Sequence, residues 1–132
     1  MVTRLSIWSL VGLAFAVCPL PALAAPPQPY MVRDLNPYGA SAPSCLVDVN
    51  GTLFFAADDG THGVELWKSD GTPEGTLQVK DINPGSASSQ PRYLTDVDGT
   101  LFFAADEGIH GEELWALLRD RWQLHLPVTL KQ

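Results

Sequence analysis

The sequence predicts an all-β protein built of tandem four-stranded antiparallel meanders, and three observations predict it. First, the chain repeats itself. Val49-Asn50-Gly51-Thr52-Leu53-Phe54-Phe55-Ala56-Ala57-Asp58-Asp59-Gly60 returns as Val97-Asp98-Gly99-Thr100-Leu101-Phe102-Phe103-Ala104-Ala105-Asp106-Glu107-Gly108. The match runs on from His62-Gly63 and Glu65-Leu66-Trp67 to His110-Gly111 and Glu113-Leu114-Trp115, always at an offset of 48 residues. A fixed period of this size marks a duplicated supersecondary unit. Second, Asn50-Gly51 and Asp98-Gly99 each stand between a pair of apolar runs. Such dipeptides are strong hairpin signals, because both residues of the favoured two-residue turn take positive φ. Third, Leu53 to Ala57 is apolar without alternation, so both faces of that strand are expected to be covered.

The 132-residue chain opens with Arg4 and an almost wholly apolar run from Leu5 to Val17. Pro19 and Pro21 break the run, and Ala22-Leu23-Ala24 follows. This is the layout of a secretory signal peptide, with cleavage expected after Ala24. The run is short for a membrane span of about 20 residues, so an uncleaved anchor is the weaker alternative. Lipoprotein processing at Cys18 is disfavoured by the bulky Val17 before it. The expected organisation is a signal peptide at 1–24, an N-terminal segment with one strand at 25–43, a first repeat at 44–91, a partial second repeat at 92–115 and a divergent tail at 116–132.

The formal net charge of −7 becomes more negative once Arg4 is removed. An acidic surface argues against nucleic acid and anionic membranes as partners, and no membrane span is expected after cleavage. The expected location is secreted, periplasmic or on the surface of a bacterial cell. Only Cys45 survives cleavage, so no internal disulfide can form. Cys45 reads as a small buried apolar residue rather than a reactive thiol.

Within the first repeat, residues 46–49 lead into the Asn50-Gly51 turn and residues 52–57 lead out of it. Asp58-Asp59-Gly60 and Gly63 make the next turn. Residues 64–68 form a third strand with Trp67 as its buried anchor. Asp70-Gly71-Thr72-Pro73-Glu74-Gly75 turns the chain into a fourth strand at 76–82, where Leu77 and Val79 alternate with Gln78 and Lys80. Residues 83–91 are a Pro/Gly/Ser-rich connector. Upstream, Val32-Arg33-Asp34-Leu35-Asn36-Pro37 returns as Val79-Lys80-Asp81-Ile82-Asn83-Pro84, an offset of 47, so the first connector is one residue shorter. Four strands in about 48 residues is the size of one propeller blade, and blade stacking would cover a strand on both faces. A β-solenoid or a plain sandwich of two meanders is the rival arrangement.

Glu65-Leu66-Trp67-Lys68-Ser69-Asp70-Gly71-Thr72, Lys80-Asp81-Ile82-Asn83-Pro84-Gly85-Ser86 and Asp98-Gly99-Thr100-Leu101-Phe102-Phe103 resemble the ELWxxDGT repeat family of exported bacterial proteins. The resemblance covers residues 32–115. It implies tandem β-blades on a secreted or surface protein, with no common reaction or ligand. The chain departs from that pattern in two ways. It has about two repeats, whereas a closed propeller needs at least about four blades, so blade faces and strand edges are left open to self-association. The motif also stops at Trp115: Ala116-Leu117-Leu118-Arg119-Asp120 stands where Lys68-Ser69-Asp70-Gly71-Thr72 stood. The alternating tail from Trp122 to Leu130 can replace the missing fourth strand. The preferred expectation is a gene truncated or frame-shifted after Trp115.

Candidate chemistry is sparse. Asp58, Asp59, Asp106 and Glu107 occupy equivalent turns and could ligate calcium, which takes six to eight oxygens, but the spacing matches no known calcium loop. Carboxylates that satisfy their own turn are the simpler reading. His62 and His110 could share a metal only if neighbouring blades brought them together. Glu65 and Glu113 would suit glycosidase work if they lay about 5 to 10 Å apart, yet a residue repeated in every unit reads first as structural. Asn50-Gly51-Thr52 is a glycosylation sequon that the second copy lacks. Trp67 and Trp115 could line a sugar surface but read as core. No catalytic, cofactor-binding or metal residue is assigned, and no cofactor is expected. The expected function is a non-enzymatic structural or interaction module with a protein or glycan partner. A carbohydrate- or calcium-dependent binding module is the first alternative, and an extracellular hydrolase or lyase the second.

Overall fold

The computed structural model describes residues 24–118. The expected signal peptide, apart from Ala24, and the tail beyond Leu118 lie outside the described residues. The described residues form seven strands and no helix: β1 (Ser44–Val49), β2 (Thr52–Asp58), β3 (Val64–Ser69), β4 (Leu77–Lys80), β5 (Arg92–Val97), β6 (Thr100–Asp106) and β7 (Glu112–Leu117). They pair in chain order as two antiparallel sheets, β1-β2-β3-β4 and β5-β6-β7.

The two hairpin turns form where the Gly dipeptides placed them. Asn50 and Gly51 have φ of 53° and 82°, and Asp98 and Gly99 have 50° and 81°, the left-handed values that a two-residue hairpin turn requires. Each turn is fastened by the aspartate ahead of it. Asp48 Oδ1 accepts from the Gly51 N–H at 2.8 Å, and Asp96 Oδ1 accepts from the Gly99 N–H at 2.8 Å.

Three expectations need correction. No strand forms in residues 24–43. Residues 30–33 match β4 of the first sheet, and among the described residues no third strand precedes them to offer a pairing edge. The fourth strand of the first sheet is shorter than 76–82, and its side chains do not alternate cleanly: Leu77 is exposed while Val79 is half-buried. A bulge between Leu66 and Trp67 breaks the β3–β4 register and resets the alternation. Finally, Cys45 is exposed rather than buried. It takes φ of 54° at a bulge in β1, and Tyr93 takes φ of 57° at the matching bulge in β5, so both side chains are turned out of the sheet.

The two sheets pack through one apolar cluster. Phe54 and Leu66 of the first sheet meet Leu101, Phe103 and Ala105 of the second, with Ile82 of the connector closing the contact. On the other side of the first sheet, Phe55, Ala57 and Trp67 are covered by Leu35. Leu35 and Ile82 hold matching sequence positions, so each Phe–Trp surface receives an aliphatic side chain from the segment that precedes its sheet. β2 is consequently covered on both faces, as its unalternating sequence requires. β6, of identical sequence, alternates between buried and half-buried, because only one of its faces is covered by a neighbouring sheet.

Candidate functional site

The most elaborate polar arrangement lies where the connector leaves the first sheet. Glu65 is wholly buried. Its Oε2 accepts from the Ile82 N–H at 3.0 Å and the Ser89 hydroxyl at 2.6 Å. Its Oε1 accepts from the Ser89 N–H at 3.0 Å and the Asn83 N–H at 3.4 Å. Four bonds fill the acceptor capacity of one carboxyl group and satisfy three main-chain donors that no strand pairs, those of Ile82 and Ser89 buried and that of Asn83 half-buried. Beside it, the Val64 N–H donates to Ser88 Oγ at 2.8 Å, and the Val64 carbonyl accepts from the Gln90 N–H at 3.2 Å. The glutamate of the Glu-Leu-Trp motif is therefore a latch for the connector. Its oxygens are not directed at a space where a substrate could sit.

The connector is fastened to the second sheet as well. The Ser89 carbonyl accepts from the Asp106 N–H at 2.9 Å, and the Asn83 side chain lies so close to Gly108 that a Cβ there would come within 2.8 Å of Asn83 Oδ1. The same contacts recur one repeat earlier: the Ser41 carbonyl accepts from the Asp58 N–H at 2.9 Å, and a Cβ on Gly60 would come within 2.6 Å of Asn36 Oδ1. Sequence reasoning assigns no role to these serines and asparagines. The recurring Leu/Ile-Asn-Pro run and the serines at 41 and 89 are the signal that marks them.

Asp58, Asp59, Asp106 and Glu107 serve their own turns. Asp58 Oδ1 accepts from the Gly60 N–H and Asp106 Oδ1 from the Gly108 N–H, both at 2.7 Å. Asp59 Oδ1 accepts from the Thr61 and His62 N–H groups, and its Oδ2 lies 2.7 Å from His62 Nδ1. Burial opposes ionisation of Asp59, but the hydrogen bonds from His62 and Thr61 outweigh it and hold this carboxyl below its usual range. The bond to Asp59 raises His62 above its ordinary value, and the bond to Glu107 raises His110 likewise. Each histidine thus pairs with an acid of its own turn, and the structure does not bring the two onto a common ligand. Among the described residues no three His, Cys, Asp or Glu side chains cluster as a metal site.

Trp67 is buried and donates its indole N–H to the Ala57 carbonyl at 3.1 Å; Trp115 repeats that bond to Ala105 at 3.1 Å. Trp67 is core. Trp115 is half-buried, stacks on Phe103 and carries Lys80 Nζ 5.5 Å above its ring. It lines a cleft of about 380 Å³ with Leu66, Val79, Phe103 and Leu117. The Asn50 side chain, the would-be glycan acceptor, lies against Gly99 of the second hairpin. The Asp70-Gly71-Thr72 turn is closed locally. Asp70 Oδ1 accepts from the Thr72 hydroxyl and N–H, which hold its carboxyl below the usual range. A Cβ on Gly75 would collide with that carboxyl group.

No helix among the described residues is long and apolar enough to cross a membrane. Comparison of the chain with protein-family models, with curated proteins and with solved structures returned no match.

Proposed function

We propose that this chain is a blade-type β-repeat module, exported from a bacterial cell, whose task is to assemble and present rather than to turn over a substrate. The observation that carries the reading is Glu65. The one carboxyl group that the motif places in a buried position is consumed by the connector between repeats. Two features support it. The Phe–Trp surface of each sheet receives its aliphatic cover in the same way, which is what stacking of successive propeller-like blades requires. The acidic turns at 58–63 and 106–111 flank the same connector, Gly63 against Ser88 and Gly108 against Asn83, so they form one rim on which a partner can be met. The ELWxxDGT resemblance adds the expectation of a secreted or surface location.

Thermal melting with and without calcium tests the reading. A single cooperative transition that calcium leaves in place is expected, since each turn carboxylate already has its partners. A calcium-dependent rise would mean that the turns are ligands for the ion. A chain that melts without cooperativity would mean that the two sheets are not a working module.

A further inference from the structure

We propose that the second sheet is completed by the N-terminal segment of a second copy of this chain, whose residues 30–33 add beside β7 as a fourth strand. The inference rests on the repeat reading above and names the partner it implies. In the first sheet β4 pairs with β3 through Leu66 and Lys80, Trp67 and Gln78, and Lys68 and Leu77. Among the described residues the second sheet ends at β7 with no such neighbour. The residues that match β4 are Tyr30, Met31, Val32 and Arg33. The same register would set Arg33 beside Leu114, Met31 beside Trp115 and Tyr30 beside Ala116.

The latch matches too. Glu113 stands where Glu65 stands, yet it is exposed. The donors that Glu65 uses come from Ile82, Asn83 and Ser89. Their counterparts are Leu35, Asn36 and Ser41, in the same N-terminal segment that carries the strand. The apolar surfaces are complementary in the same sense. Leu66 is 1% exposed, whereas its counterpart Leu114 is 75% exposed. Leu94 packs into the contact between sheets, whereas its counterpart Leu46 is 60% exposed. The joint between the two sheets of one chain is therefore a template for a joint between two chains.

The donor segment is held ready. Leu35 packs on Phe55 and Trp67, and Arg33 donates to the Thr76 carbonyl at 2.6 Å, while Tyr30 and Met31 remain exposed. Residues 119–132 contain no Val-basic-Asp-aliphatic-Asn-Pro run, so the second copy fits the open edge better than the tail does. Strand addition to a free sheet edge is a general mode of recognition. A head-to-tail joint closes into a ring or extends into a filament, and two copies supply the four sheets that the smallest propeller needs.

Solution mass by light scattering tests this on the purified chain, after mass spectrometry has fixed whether residues 1–24 remain. The expected species holds at least two copies. Met31→Pro removes the donor strand's central N–H, and Leu114→Asp charges the acceptor surface; both sites are exposed, so each variant should melt cooperatively as a monomer. Mixing the two variants should restore a two-copy species, because one retains the donor and the other the acceptor. A wild-type chain that melts cooperatively as a monomer at about 100 μM would overturn the inference and leave the repeat reading standing. So would a mixture that stays monomeric, or dimerisation that appears only when residues 119–132 are deleted. A non-cooperative melt of the wild type would instead overturn the repeat reading itself.

Discussion

The glutamates of the two Glu-Leu-Trp motifs are chemically alike and structurally unlike. Glu65 accepts four hydrogen bonds while Glu113 is exposed. Replacing Glu65 by Ala leaves several buried donors unsatisfied and should cost about 3 kcal/mol in urea unfolding. Glu113→Ala, measured at concentrations where the chain is monomeric, should cost less than about 0.5 kcal/mol. The His62–Asp59 pair gives a second prediction with a definite sign. His62 is raised above 6.5, so its contribution to stability is complete below that value and is lost as pH rises through the folded-state value. Asp59 is lowered below 3.8, so its contribution is complete above that value and is lost as pH falls through the folded-state value. The turn is therefore held best between those limits. An NMR titration should find the His62 midpoint above 6.5, and Asp59→Asn should bring it back toward 6.5.

At the scale of the element, the hairpin turns are governed by backbone conformation. Asn50→Asp copies the second hairpin and should change the melting curve little. Gly51→Ala places a side chain at φ of 82° with open space around it and should cost about 1 kcal/mol. Gly99→Ala should cost more, because a Cβ there would also meet Asn50 Nδ2 at 2.6 Å. Urea melts of the two variants compare the terms directly. The strands themselves are legible in the sequence: the Gly dipeptides set the hairpins, and the turn at 58–63 sets the start of β3. The bulges are not, because a bulge depends on which residue of the partner strand lies opposite. For that reason Cys45 is exposed where its residue type predicts burial, and β4 alternates less than its sequence does.

At the scale of the whole molecule, one sheet has neighbours on both faces and the other on one. Leu66→Ala should cost about 2 to 5 kcal/mol, as expected for a buried leucine. Leu114→Ala, in the monomer, should cost less than about 1 kcal/mol, because little apolar surface leaves water at that site. Paired denaturant titrations of the two variants measure the asymmetry. Equal costs would show that Leu114 is covered in solution by something the described residues do not include.

The sequence by itself determined the all-β class, the two meanders, the hairpin turns and the length of the repeat. Turn chemistry and apolar patterning act over a few residues and are written in the chain. Only the tertiary structure decided what Glu65 does, where the connector serines and asparagines are used, and which apolar faces are covered. Those outcomes depend on segments about 20 to 50 residues apart meeting in space. Identical Leu-Phe-Phe-Ala-Ala runs in the two repeats therefore have different burial, because burial is set by the neighbouring sheet as well as by the run itself.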